Sequence, residues 1–415
     1  MTDCRNAPNE NRTWESFRPY DHQGLHEFFE AKRAENPIFF DEGTGHWIVT
    51  TRDLAREIFA DPARFSAANV HDPLKPYPKE LVDYLTQSGF RRDKTQANCD
   101  APKHTRIRKV AQSFLNPRQF KALEPPVRKL VDAAVKSLHG RGRVDLVDEL
   151  AYELPARVLF LLLGLPDMDA RKIKVWADSR FNMISGDTDH ATLLAAGQQV
   201  MDLWNYCGDL VAARRESPGE DYPSHLLAIH NRDPSAISVN EIQNLTYGVL
   251  LAGHETTTNA IGSTLQMLMQ NRAQWDRLAA DPSLAANFVE EGLRAAPPIV
   301  IWRRITTRET VLGGVTLPAQ APIMMSLASV NRDESHFSCP AEFDGGRENA
   351  GDHLSFGYGI HFCMGAALAR MEIEQVLQGL AAHFPNMRLV PDEDPHWSQT
   401  VLVRGPRRLI VELNE

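Results

Sequence analysis

The chain has 415 residues, 43% of them hydrophobic and 24% charged, enough apolar material to bury a large core and a flat cofactor within it. A formal charge of -9 argues against nucleic acid or an acidic membrane surface as the main partner. The polar N-terminal stretch lacks the apolar centre of a signal peptide, and the strongest apolar run, Val158 to Leu165, is far shorter than the roughly 20 residues of a membrane span. These features predict a cytoplasmic protein without a membrane partner.

No Gly/Ser-rich linker, charge block or repeat divides the sequence, which reads as a single domain over residues 1–415 with a disordered tail over residues 1–12. Its fold class is mainly α with small β-sheets, because short strand-like runs occur only near the start and in the last third. His46 to Thr51 reads as a strand and Asp53 to Ala60 as an amphipathic helix. Residues 68–100 carry several prolines and glycines and little periodicity, which predicts a long loop with short helices over something functional. Asp100 and Pro102 open a helix bearing His104, Arg106, Arg108 and Lys109. Ser238 and Glu241 have the spacing of a capping box. The helix they begin runs without proline to about Asn271, roughly 32 residues or about 48 Å at 1.5 Å per residue. Ile299 to Thr306 alternates like a strand, Val311 to Val315 reads as a hairpin turn, and Val401 to Leu413 as a final hairpin turning at Gly405-Pro406.

Of the five cysteines, Cys4, Cys99, Cys207 and Cys339 read as plain thiols, since no short paired spacing marks a zinc site. Cys363 differs. It lies in Phe356-Gly-Tyr-Gly-Ile-His-Phe-Cys-Met-Gly365, at the entrance to a helix starting near Met364. Gly357 and Gly359 allow the backbone to approach a flat ligand. The helix start aims N–H groups and positive dipole at the sulfur, which favours a thiolate and hence a metal ligand. On these residues alone, a buried structural cysteine stays an alternative, and His361 is a second candidate ligand.

Three further patterns carry chemistry. Ala252-Gly-His-Glu-Thr-Thr257 places an acid and an alcohol in the middle of the long helix, where Thr256 can bond back to the Ala252 carbonyl and bend the helix. Glu255 and Thr256 are candidate proton relays, although packing threonines beside a solvated acid is the plainer reading of so short a motif. Glu291 and Arg294 stand at i and i+3 on one helix face. His104 and Arg108 stand one turn apart, with Arg304 on a later strand; Arg303 alternates to the other face.

Together these motifs resemble the cytochrome P450 family. Phe-Gly-x-Gly-x-His-x-Cys-x-Gly is similar to its haem-binding signature, and Ala-Gly-x-Glu-Thr to its oxygen-side motif; the likeness runs from the early His-x-x-x-Arg helix to the end of the chain. The resemblance implies the cytochrome P450 fold, with haem b between the long central helix and the Cys-ligand loop. It implies Cys363 as the iron ligand and Ala252, Phe356, Gly357 and Gly365 against the haem. His104, Arg108, Arg304 and His361 would hold its propionates, and Glu255 with Thr256 would serve dioxygen activation. Glu291, Arg294 and Arg347 would form a structural ion pair. The implied activity is a monooxygenase that inserts one oxygen atom into a small, largely apolar, even aromatic, substrate by hydroxylation or oxidative dealkylation. Its pocket would involve Leu245, Val249, Ala252, Ile299, Val300 and Val401.

No flavin, dinucleotide or iron-sulfur fingerprint is present, so the expected electron donor is a ferredoxin with an NAD(P)H-dependent reductase, or a fused reductase absent here; Arg106, Lys109, Arg118 and Arg370 are candidates for a docking patch. Arg91 and Arg92 are weaker candidates for holding a substrate carboxylate. A haem-thiolate gas sensor or electron carrier, and a peroxide-driven peroxygenase, are the rival functions.

Overall fold

A computed structural model describes residues 16–21, 24–166, 169–391, 393–398 and 400–414; the N-terminal tail and Cys4 lie outside them. Helices dominate, and strands are confined to small sheets. The largest sheet takes Ile38–Asp41, His46–Val49, Pro322–Ser326, Ile301–Thr306 and Phe65–Ser66 in that spatial order. Its Ile301–Thr306 strand pairs Arg303 with Met324 and Arg304 with Ile323, and the two-residue side-chain period sends adjacent arginines to opposite faces.

Local rules account for several elements. The Ser238 capping box is complete: Ser238 Oγ accepts from the Glu241 amide at 3.2 Å, and the Glu241 carboxylate accepts from the Ser238 amide at 2.9 Å. The Thr310–Leu312 and Val315–Leu317 strands meet at Gly313 and Gly314, with φ of 54° and 81°, values that suit a two-residue turn of the handedness strands prefer. Residues 68–100 hold a single helix, Lys79–Gln87, within otherwise irregular chain.

Two predicted elements differ. The long helix is two, Val239–Ala252 and Glu255–Gln270, interrupted at Gly253-His254. No proline is needed for the break, because Thr256 Oγ1 and Thr257 Oγ1 donate to the carbonyls of Ala252 and Gly253 at 2.8 and 3.1 Å and compete with the backbone ladder there. The final hairpin does not form. Ile410–Glu412 pairs instead with Arg143–Asp145 and Arg388–Leu389, while Val403 bridges to Ile299. Gly405 abuts Asn259, whose side chain stands 2.3 Å from where a Cβ would lie, so the bend at Pro406 is set by packing against the Glu255–Gln270 helix.

That helix packs on Ala366–His383 in the main core, where Leu265, Leu377 and Leu380 are fully buried; each such side chain contributes about 1.5 to 3 kcal/mol. Cys99 and Cys207 are free and buried. Cys339 is disulfide-bonded, against the expectation of a plain thiol. Among the described residues no helix is long and apolar enough to cross a membrane.

Candidate active site around Cys363

The Ala366–His383 helix begins three residues after Cys363, slightly later than the sequence predicts. The Cys363 amide donates to the Phe356 carbonyl at 2.9 Å and closes the loop into a ring. Gly357 and Gly359 adopt φ of 72° and 71°, and a Cβ on Gly359 would lie 2.6 Å from the Phe59 carbonyl oxygen, so both conformation and space require glycine. Cys363 is surrounded by protein yet retains accessible surface, as at the floor of a cleft. Burial pushes its thiol up; the Gly365 amide, Arg108, Arg370 and the Ala366 amide oppose that. The net shift is upward, so what marks Cys363 as a candidate ligand is its accessible surface rather than its titration.

The groups predicted to hold the propionates come together. His104 and His361 meet as tilted rings with centroids 4.4 Å apart, and Arg108 donates to the Phe362 carbonyl at 2.7 Å. His361 Nδ1 lies 3.0 Å from the Gln96 carbonyl. Arg304 is buried and donates to the carbonyl of Arg303. What sets these groups apart is what they lack: His104 Nε2, His361 Nε2 and Arg304 Nη2 are buried without a hydrogen-bond partner. Burial, then Arg304 and His104, drive the His361 imidazole down to about 4, and burial lowers Arg304 to about 10. Buried donors left unpaired cost about 1 to 3 kcal/mol each, a cost that an anionic group in their midst removes. A haem bringing iron to Cys363 and two carboxylates to these nitrogens fits the donor set.

Above this floor, Gly248, Ala252 and Thr256 form a stripe at i, i+4 spacing. Gly248 has open space before its Cα, Ala252 is exposed, and Thr256 is half-buried. Glu255 does not share that face. It is 1% exposed and turns into an ionic cluster. Its carboxylate contacts Lys174 Nζ, Arg407 Nη1 at 3.2 Å and Asn259 Nδ2 at 3.1 Å, and Lys174 also reaches Asp178 at 3.0 Å. The predicted side-by-side acid and alcohol are thus divided between two faces of one helix. Lys174, Asp178 and Arg407 carried no signal in the sequence; Gly248 did, four residues before Ala252. His254 is buried, and among the described residues neither ring nitrogen has a well-formed hydrogen-bond partner.

Glu255 is held well below the usual carboxylate range: burial alone would raise it, but Lys174 and Arg407 outweigh that. Asp178 is pushed up to about 7 by burial and by Glu255. The linked stabilities have opposite signs. That of Glu255 is present above the ordinary carboxyl range and is lost only as pH falls through its depressed value; that of Asp178 is present in acid and is lost as pH rises through about 7. Lys174→Met should therefore cost about 2 to 3 kcal/mol, below the full price of a bare buried charge because Arg407 stays beside Glu255. The loss, read as a fall in thermal midpoint relative to Lys174→Arg, should shrink toward acid pH as the stranded acids take up protons.

The predicted ion pair is complete. Glu291 accepts from Arg294 at 2.7 and 2.8 Å and from Arg347 at 3.1 and 3.2 Å, and all three are buried. Of the pocket residues, Val300 and Val401 join Ile184, with Ile299, Phe181 and Leu74 packed against them. Val249 is half-buried, and Leu245 is enclosed in the main helical core at 2% exposure. The docking patch is weaker than the sequence suggests: Arg106 is paired with Glu241 at 2.6 Å and Arg370 with Glu290 at 2.9 Å, leaving Lys109 and Arg118 exposed.

The cytochrome P450 family pattern matches residues 212–413. The chain is 33% identical over 379 residues to the 6-deoxyerythronolide B hydroxylase of Saccharopolyspora erythraea, covering 90% of this chain and 91% of that one. Among solved structures it is similar to cytochrome P450 CREJ in complex with (4-ethylphenyl) dihydrogen phosphate, with a TM-score of 0.92, 32% identity and coverage of 95% and 98% of the two chains. It is also similar to full-length CYP116B46 from Tepidiphilus thermophilus, with a TM-score of 0.92 and 33% identity, over 96% of this chain and 53% of that one. With the thiol, the unpartnered nitrogens and the helix break in their places, the chain belongs to the cytochrome P450 family and is a haem b monooxygenase.

Proposed function

We propose that residues 1–415 form one cytoplasmic haem domain that oxidises a small, largely apolar substrate by hydroxylation or oxidative dealkylation. The observation that carries this reading is the accessible Cys363 side chain, with Arg108 bonded to the Phe362 carbonyl beside it, together with the buried, unpartnered nitrogens of His104, His361 and Arg304. Haem b, when bound, supplies the oxidising chemistry. Cys363 Sγ is its ligand, Arg304, His104, Arg108 and His361 hold its carboxylates, and Phe356, Gly357, Gly365 and Ala252 let it lie close to the backbone. Thr256, its hydroxyl anchored on the Ala252 carbonyl, holds a proton on the cleft side of the helix. Asp178 holds a second near neutral pH in the Glu255 cluster on the other face; a cleft of about 260 Å³ lined by Tyr152, Thr258 and Arg407 brings solvent to that cluster.

Val300, Ile299, Phe181 and Val401 orient the substrate by excluding water from its apolar body. The electron donor is a ferredoxin with an NAD(P)H-dependent reductase, or a fused reductase as a separate region. The test is turnover of small aromatic, terpenoid and fatty-acid compounds with surrogate ferredoxin partners. Product that needs dioxygen, NAD(P)H and the partners together is expected; no product from any compound that shifts the haem spin state would refute the substrate-oxidising role.

A further inference from the structure

Three arginines gather beside the apolar pocket with, among the described residues, no carboxylate ion-paired to any of them. Arg92 comes from the loop after Lys79–Gln87, Arg180 from the helix Ala170–Ser185, and Arg303 from the sheet face opposite Arg304. Arg180 and Arg303 are buried and Arg92 is half-buried. Arg92 Nη2 lies 3.0 Å from His71 Nδ1, Arg180 Nη1 donates to Tyr77 Oη at 3.1 Å, and Arg303 Nη2 donates to the carbonyls of Val70, at 2.8 Å, and Asp72. Their remaining donors are not spent: Arg92 Nη1, Arg180 Nε and Arg303 Nε are buried with no partner. The ion pairs of the described residues include none of the three. Asp72, the nearest acid to Arg303, is exposed and forms no ion pair with it.

His71 shows that they converge. Its imidazole is driven well down by burial and then by Arg92, Arg180 and Arg303 in turn, so it is neutral and able to accept from Arg92. Burial and Arg180 hold Arg92 at about 10, still charged at neutral pH. Desolvated guanidinium groups that repel one another persist where an anion joins them, and their planar forks match carboxylate and phosphate oxygens.

The site adjoins the pocket. The Arg92 guanidinium lies 5.5 Å from the Tyr247 ring centroid, and Tyr247 precedes Ala252 by five residues, about 7.5 Å along the helix. The chain segment that carries His71 and Tyr77 joins the helix end through the Leu74 amide, which donates to the Ile184 carbonyl at 3.0 Å, and Ile184 belongs to the apolar cluster with Val300 and Val401.

We propose that Arg92, Arg180 and Arg303 form a subsite for an anionic head group, so that the substrate is a small apolar body ending in a carboxylate or phosphate. This rests on the monooxygenase reading of the same pocket. His71 and Tyr77 set the arginine orientations, and the apolar wall receives the remainder of the molecule.

Isothermal titration calorimetry of the holoenzyme tests it with matched probes: 4-ethylbenzoate against 4-ethylbenzamide, and phenyl phosphate against phenol. At low ionic strength at least one anion is expected to bind about tenfold or more tighter than its neutral counterpart; the pair that shows the difference identifies carboxylate or phosphate. Arg92→Gln, Arg180→Gln and Arg303→Gln should each erase most of that difference and leave the neutral affinity within about threefold, with Arg→Lys restoring part of it. The reduced carbon-monoxide spectrum checks that each variant holds haem normally. Equal affinity within both pairs, absence of binding by all four probes, or parallel loss of charged and neutral ligands in the variants would overturn the subsite. Preserved anion preference in a protein that oxidises nothing would instead keep the subsite and reject the monooxygenase reading.

Discussion

Cys363→Ser is expected to abolish the strongly red-shifted Soret band of the reduced carbon-monoxide complex and to lower turnover by more than the roughly 10- to 100-fold that loss of a supporting partner costs a metal site. The reason is local. The Cys363 side chain is accessible; burial raises its thiol overall, and the Gly365 and Ala366 amides with Arg108 and Arg370 act in the opposite direction. A serine hydroxyl keeps the volume but is far harder to ionise, and a thiolate is the ligand that pushes electron density toward iron and favours O–O cleavage. Because the side chain is not packed into the core, the substitution should change folding stability by only about 0.5 kcal/mol. Circular dichroism and the thermal midpoint of the apoprotein should match wild type while the spectrum changes. An unchanged red-shifted band would make another residue the ligand, with His361 the first alternative, since its Nε2 is buried and unpartnered.

What could be read from the sequence was what depends on neighbours in sequence. The Ser238 cap, the Gly313-Gly314 turn, the Thr256 bond to Ala252 and the opposite facing of Arg303 and Arg304 all follow from spacings of a few residues. The same local logic foresaw a bend at Ala252 but not the full break, because a run without proline looks continuous until the back-bonding threonines and Gly253 act together. It also gave the last strand the wrong partner: Ile410–Glu412 has a strand period, but its neighbours Arg143–Asp145 are chosen by packing. The site divides in the same way. Cys363, His361 and Thr256 carry their own context, whereas Lys174 and Arg407 reach Glu255 from elsewhere in the chain and look like ordinary surface cations. Arg92 was visible as a candidate for an acid; that Arg180 and Arg303 join it depends on three separate elements meeting.

Glu291→Ala is expected to be the most destabilising single change, and the logic is electrostatic rather than steric. Glu291 and Arg294 are fully buried and Arg347 nearly so, and one carboxylate answers two guanidinium groups. Its removal leaves two like charges facing each other out of water, a loss of about 3 to 5 kcal/mol against a total stability of about 5 to 15 kcal/mol. The damage should reach the haem floor. Arg347 also donates to the carbonyls of Ser338, Cys339 and Glu342, and Arg294 to those of Asn331, Pro340 and Glu342. Together they fasten the segment from which the chain runs on to the Cys363 loop. Haem content, measured as the ratio of Soret to protein absorbance, should fall sharply in Glu291→Ala, together with the thermal midpoint. Glu291→Asp, which keeps the charge on a shorter stem, should fall between that variant and wild type. If Glu291→Ala retained full haem content and its thermal midpoint, the carbonyls alone would hold the two arginines, and the carboxylate would be dispensable to the Cys363 loop.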